Sequence, residues 1–457
     1  MPTPANNSAG SSRAPRIVTA GIPLLLVALC GLLALEPELR LAVPLLVGVT
    51  AVMAVLLACT LYCGKRLRPS WPPAVVLAVA LALRLMFLAA PAQLSDDIYR
   101  YLWDGSNLVR GVNPYAASPS AMTPPSELKE VHARVNHPQY ATIYPPAAQL
   151  IFAGGTALGG GAFGLKAFLV LLDLLLCALL MVLLRQLGMP VWLSTLYAWN
   201  PLPVLEIAGS GHVDGAGMTL LMGSISLLLV KGERRWPTLC AGALLAAAGL
   251  VKLFPFALVP ALFLLVTPSR RIHFAGGFLG AAAALVLPFM PQLINMLHTL
   301  QAYARHWEFA GFAFTVLRFL TGSGTAARLI LSCSFLLFAT AITLRLAAEI
   351  KGLEPAPRAA RTLRACYAIA LALLLCTPTL QPWYALFLAA FLPFGAGGAG
   401  LVLCWVVFLT YRVQIPYFIM GEWIESPQVT AALFLAPATA WGMSRLSRIG
   451  RKRPQRG

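Results

Sequence analysis

Five aspartates occur in the 457 residues: Asp96, Asp97, Asp104, Asp173 and Asp214. Two of them are adjacent, in Ser95-Asp96-Asp97-Ile98-Tyr99-Arg100, directly after an apolar run. An ionised carboxylate near hydrocarbon carries a desolvation cost, about 3 kcal/mol for an Asp at the centre of an inserted helix, so a chain this sparing with Asp keeps those it has for use. Helix capping accounts for only one member of an adjacent pair. Asp96 and Asp97 are therefore expected to present a carboxylate to a polar substrate. His212 and Asp214 lie in Gly209-Ser210-Gly211-His212-Val213-Asp214-Gly215, whose glycines allow close backbone approach. His-x-Asp with no third ligand nearby is a poor metal signature, so this pair points to hydrogen bonding with a polar substrate, and no metal is expected. Lys252, inside the apolar passage 241–266, either snorkels to headgroups or binds an anion. Tyr303-Ala304-Arg305-His306-Trp307 and Gln381-Pro382-Trp383-Tyr384 either anchor the chain at an interface or face a ligand. Tyr144-Pro145-Pro146 either simply restarts a helix, with Pro in its first turn, or adds a binding group. P-loop, HExxH and GxSxG patterns are absent, the glycine run 159–164 is followed by Leu165 and is no nucleotide cradle, and no cofactor is expected.

These groups must be held by an all-α polytopic membrane protein. The chain is 59% hydrophobic and 11% charged, where a soluble globule carries about 25% charged residues. Runs at 17–35, 41–63 and 71–90 reach the roughly 20 apolar residues that cross a bilayer as helix. The formal charge of +18 sits mostly between such runs and at the C-terminus, so it reads as a topology signal and not as a nucleic-acid surface. The nine cysteines lie in or beside apolar stretches without CxxC pairs, as small packing residues.

Basic residues place Arg13, Arg16, Lys65, Arg66, Arg68, Arg185, Lys231, Arg234, Arg235, Arg270, Arg271, the cluster Lys351 to Arg364 and the tail Arg445 to Arg456 on the cytoplasmic side. Three crossings then precede residue 91, and the loop 91–143 faces outside. One crossing, 163–184, fits before Arg185, so the apolar run 145–158 is expected to lie in or dip into the outer interface. About ten more crossings are expected, several of them short, with 206–216, 252, 291–325, 377–384 and 416–427 on the outer face. Within the first loop, 96–105 reads as a short amphipathic interfacial helix, with Tyr101 and Trp103 at the boundary between lipid and water. Arg84 and Asp173 fall within spans and are expected to meet one another or other polar groups, with no chemistry assigned.

In order, Asp96-Asp97-Ile98-Tyr99, Gly111 with Asn113-Pro114-Tyr115, Tyr144-Pro145-Pro146, Gly211-His212-Val213-Asp214, Val251-Lys252-Leu253-Phe254-Pro255, Tyr303 to Trp307 and Pro382-Trp383-Tyr384 resemble the multi-span GT-C glycosyltransferases that use polyprenyl-phosphate sugars, particularly the bacterial mannosyltransferase branch, glycosyltransferase family 87. The first two motifs also resemble the catalytic subunit of the first mannosyltransferase of glycosylphosphatidylinositol synthesis. The resemblance covers roughly residues 70 to 425. It implies a GT-C-type helical bundle with interfacial helices in the first large outer loop. The domain reading is a disordered cytoplasmic tail (1–16), two extra spans (17–70), a catalytic membrane region (71–425), and a last span with a basic cytoplasmic tail (426–457).

The activity implied is an inverting hexosyl transfer, mannosyl above all, from a polyprenyl-phosphate sugar to a glycan or glycolipid acceptor at the outer face of the cell membrane. Asp97 is implied as general base, with Asp96 second. Lys252, His212, Arg305 and His306 are implied as candidates to hold the leaving phosphate. Asp214, Arg100, Tyr144, Gln381, Trp383 and Tyr384 complete the expected substrate contacts. The competing class is a transporter or lipid flippase, which favours internal repeats and midplane polar groups. Here the acids gather at one face and no repeat is evident.

Overall fold

In the computed structural model the described residues are 13–67, 71–232, 234–395 and 397–450. Of the tail expected at 1–16, residues 1–12 lie outside them, as do Arg68 and the basic end at 451–457, while 13–16 belong to the first helix. Helix α1 spans Arg13–Ala34, α2 Val43–Leu67 and α3 Pro73–Leu88. The first long loop carries α4, Asp97–Val109, and α5, Pro146–Ala157, before α6, Ala162–Gln186. Then come α7 Asp214–Leu228, α8 Trp236–Val251, α9 Arg271–Val286, α10 Leu293–His306, α11 Phe312–Thr321, α12 Gly324–Glu349, α13 Pro355–Cys376, α14 Gly398–Val406 and α15 Pro427–Gly450. No β-strand forms among the described residues, only isolated bridges of Phe309 and Ala310 with Thr379. The protein is an all-α polytopic membrane protein. Among the described residues, six helical stretches are long and apolar enough to cross a bilayer, accompanied by six shorter apolar helices of 10–17 residues.

Lengths separate the roles of neighbouring helices. The 25 residues of α6 rise far enough to cross the hydrocarbon core, whereas the 12 residues of α5 do not. Pro145 and Pro146 set the start of α5 with φ already near the helical value. Its end is a reversal through Gly159, Gly160 and Gly161, all with positive φ (77°, 73° and 58°), a path closed to most side chains. The reversal folds α6 back against α5 and leaves α4 packed on α5.

That packing changes the reading of α4. Tyr101 and Trp103, expected at the lipid and water boundary, are fully buried instead. Tyr101 stacks on Phe152 of α5 with centroids 4.3 Å apart, and its edge meets Tyr144 at 4.9 Å. The aromatic residues mark a helix covered on both sides rather than one floating at an interface.

Deeper in the bundle, Arg84 of α3 and Asp173 of α6 do meet. Their side chains are wholly buried and Arg84 Nε lies 2.5 Å from Asp173 Oδ2. Arg84 Nη1 also donates to the carbonyls of Ala80 (3.0 Å) and Ala198 (2.8 Å), and Tyr197 Oη donates to Asp173 Oδ1. The pair thus joins α3, α6 and the turn 195–198. Removing one partner strands the other charge, a loss of about 3–5 kcal/mol. Arg84→Met is therefore expected to lower the thermal midpoint of the detergent-purified protein clearly, with Arg84→Met/Asp173→Asn recovering much of the loss. Equal midpoints for the wild type and Arg84→Met would contradict this account.

Candidate active site

The loop after α3 is fixed from behind by Lys166 of α6. Its buried ammonium donates to the carbonyls of Phe87 (2.7 Å) and Ala90 (2.6 Å), at and just past the end of α3. Gln414 Nε2 holds the Leu94 carbonyl from the other side, at 3.3 Å. The chain then enters α4. Asp96 occupies the N-cap but its side chain makes no cap bond; Ser95 Oγ accepts from the Asp97 amide at 3.2 Å instead. Both carboxylates are left to other partners.

Asp97 accepts from Asn136 Nδ2 at 2.8 Å on Oδ1 and from Tyr144 Oη at 3.1 Å on Oδ2. Its side chain retains 17% exposure, into a cavity of about 930 Å³. Asp96 lines the same cavity. Burial pushes the Asp96 carboxyl above the usual range, against the pull of Arg40 and Arg134, with the like charge of Asp97 adding to the rise. Asp104 is not in the cavity wall. It is buried beside Arg100 (3.8 Å) and Gln149 (3.4 Å), and burial raises it despite those partners. Arg100 itself borders the cavity while donating to the Tyr140 carbonyl at 2.6 Å.

The glycine-flanked turn brings His212 behind Asp97. Gly211 has φ +79°, and a Cβ there would sit 2.8 Å from Ile98 Cδ1, so only glycine lets the turn press this closely on α4. His212 is fully buried and stacks on Trp383, with centroids 4.0 Å apart. Its Nδ1 lies 4.0 Å from Asp97 Oδ2, and its Nε2 lies 3.5 Å from Glu206 Oε2. Burial pushes the ring down to about 3, Asp97 opposing and Lys252 adding to the effect, so the imidazole is neutral at ordinary pH.

Lys252 follows α8 in extended conformation (φ −148°, ψ 137°), where Pro255 prevents the helix from continuing. Its ammonium faces the cavity, 3.4 Å from Asp214 Oδ2 and 5.4 and 5.3 Å from the ring centroids of Tyr144 and Tyr384. Asp214, almost wholly buried, stands behind it. Tyr144 therefore joins the acidic and cationic parts of the site: its hydroxyl bonds Asp97 while its ring face meets Lys252.

The opposite wall comes from the C-terminal half. Phe309 N donates to the Pro378 carbonyl (3.1 Å) and Leu380 N to the Phe309 carbonyl (2.8 Å), drawing the end of α10 against 377–384. Gln381, Trp383, Tyr384 and His306 reach the cavity by this route. Trp307 packs with Tyr303, His137 and Tyr140, at centroid distances of 5.3, 5.0 and 5.8 Å. Arg305 is exposed and does not border the cavity. Consecutive residues of a helix point about 100° apart, so His306 and Arg305 do not share one direction.

Four contributors were not singled out from the sequence: Asn136, Lys166, Glu206 and Tyr411. Glu206 and Lys166 carried a legible signal, a charge within an apolar stretch.

A family model described as Alpha-(1->6)-mannopyranosyltransferase, N-terminal domain, matches residues 18–268. The matched span includes Asp96, Asp97, Tyr144, His212, Asp214 and Lys252, and it begins within the first helix. The wall formed by 303–310 and 377–384 lies beyond it. No curated protein matches the chain.

Proposed function

The chain belongs to the alpha-(1->6)-mannopyranosyltransferase family, and from that premise we propose that it moves mannose from a polyprenyl phosphate to a primary hydroxyl of a mannose-containing glycan or glycolipid at the outer face of the cell membrane. Mannosyl transfer itself goes with the family; donor, acceptor, sidedness and residue roles are the proposal. Both termini are placed on the cytoplasmic side by the basic loops. The cavity lies on the opposite, outer side.

An α product formed by one inverting displacement requires a β-linked donor. The acceptor oxygen attacks the anomeric carbon, the bond from that carbon to the phosphate oxygen breaks, and its electron pair leaves on the polyprenyl phosphate. The acceptor's proton passes to Asp97. Lys252 meets the charge that grows on the phosphate, where a preoriented cation acts most strongly because water is limited. His212 is neutral and supplies no charge to the phosphate; its place is behind Asp97. Arg305, outside the cavity wall, takes no part, and His306 borders the acceptor side.

The observation that carries this reading is Tyr144 holding Asp97 by its hydroxyl and Lys252 on its ring face within one cavity. Base and phosphate cation thereby flank one sugar-sized space.

The test is transfer by purified protein offered polyprenyl-phosphate mannose, other polyprenyl-phosphate hexoses and a nucleotide-linked mannose, with a mannoside acceptor or its 6-deoxy analogue. An α-(1->6) product from polyprenyl-phosphate mannose alone, lost with the 6-deoxy acceptor, is expected. Equal transfer from the nucleotide sugar would overturn the donor assignment.

A further inference from the structure

Both ring nitrogens of His212 are buried without a hydrogen-bond partner, although a carboxylate oxygen stands near each. Buried polar atoms of this kind carry an uncompensated desolvation cost and call for an explanation. Glu206, 0% exposed, is the less obvious neighbour. Tyr411 Oη lies 2.8 and 2.9 Å from its two oxygens and has a single proton to donate to one of them. Tyr411 in turn borders the cavity.

We propose that Glu206 is a positioning residue that fixes the tautomer of His212 and, through it, the orientation of Asp97. The proposal rests on the reading of Asp97 as general base. A neutral imidazole has one N–H and one acceptor nitrogen. If Glu206 keeps its proton, that O–H donates to Nε2, the ring proton resides on Nδ1, and Nδ1–H faces Asp97 Oδ2. The contacts of 3.5 and 4.0 Å become hydrogen bonds after closure of less than about 1 Å, the kind of tightening that substrate binding brings. Tyr144 and His212 then occupy both lone pairs of Oδ2, and Asn136 occupies one of Oδ1. The remaining lone pair of Oδ1 receives the acceptor's proton. With Glu206 ionised the order reverses: Nε2–H turns to Glu206, and the lone pair of Nδ1 confronts the Asp97 carboxylate.

The charge surroundings favour the first arrangement. Glu206 has no cation within ion-pair distance among the described residues except the His212 ring. Burial pushes its carboxyl up to about 8, against the Tyr411 hydrogen bond, with Asp214 adding to the rise. His212 is faced by Asp97 and Lys252. On the helices packed against 204–209, Arg84 and Asp173 are engaged with each other, and Lys166 with backbone carbonyls. Deprotonation of Glu206 thus switches the tautomer of the ring as pH rises through about 8.

The experiment is the pH profile of kcat and KM for mannosyl transfer by full-length protein. In the wild type kcat is expected to fall as pH rises through about 8 while the donor KM holds. In Glu206→Gln, whose amide donates at every pH, that fall disappears. Tyr411→Phe removes the bond that favours the ionised carboxylate and moves the fall to higher pH. Glu206→Leu loses on the order of tenfold or more in kcat, and the Gln variant recovers most of it. A wild type without the fall, a fall persisting in Glu206→Gln, or an unmoved fall in Tyr411→Phe overturns the proposal. Failure of the base assignment is a separate result, undiminished transfer by Asp97→Asn.

Discussion

Asp97→Asn is expected to lower mannosyl transfer by on the order of 10²–10⁴-fold, the range that a positioned general base contributes, with the donor KM little changed. The carboxylate takes the acceptor's proton in the transition state and makes no ground-state contact that the donor needs, so the loss belongs in kcat. Asparagine matches the shape of aspartate and still accepts a hydrogen bond from Asn136 or Tyr144, so folding should persist; an unchanged thermal midpoint would show this. Asp96→Asn is the comparison. Asp96 shares the cavity but lacks the Asn136 and Tyr144 bonds that fix Asp97, so its replacement should cost much less. Full transfer by Asp97→Asn together with a dead Asp96→Asn would move the base to Asp96.

Lys252→Met is expected to reduce kcat/KM for the polyprenyl-phosphate donor by on the order of 10²-fold or more, as for loss of a preoriented charge at a developing anion. Two other cations border the cavity, but both are engaged: Arg100 with the Tyr140 carbonyl and Arg328 with Glu308. A complication is Asp214, which would be left buried without its partner. Lys252→Met/Asp214→Asn separates the two effects. It should regain stability and remain inactive; regained transfer would mean that Lys252 serves only to neutralise Asp214.

The two sets of effects also show how far sequence reasoning reaches. Asp97 was visible because acids are rare in this chain and two stand together at the end of a span. Lys252 was visible as a lone cation in an apolar run, but whether it reached lipid headgroups or a cavity was not, since both fates put lysine at a helix end. The structure turns it inward between Tyr144 and Tyr384. Trp383 and Tyr384 read equally well as interfacial anchors, and only the backbone bonds between Phe309 and 378–380 bring them opposite Asp97. Tyr101 and Trp103 were misplaced at the interface because an amphipathic pattern does not say what covers the polar side. Glu206 escaped because its partners, His212 and Tyr411, include one that is 205 residues away. No local pattern encodes such a contact.

The Arg84 and Asp173 pair has a consequence for how the protein is made. Asp173 lies 89 residues after Arg84, so α3 must leave the ribosome and enter the membrane before its counter-charge exists. Arg84 stands four residues from the end of α3, a helix of 16 residues, and an unpaired Arg in an inserting helix costs up to about 2.5–3.5 kcal/mol, the value at its centre. Until α6 is made, α3 carries that cost without its counter-charge. The contact of α3 with α6 that backs the loop between them thus forms only with a helix synthesised after it.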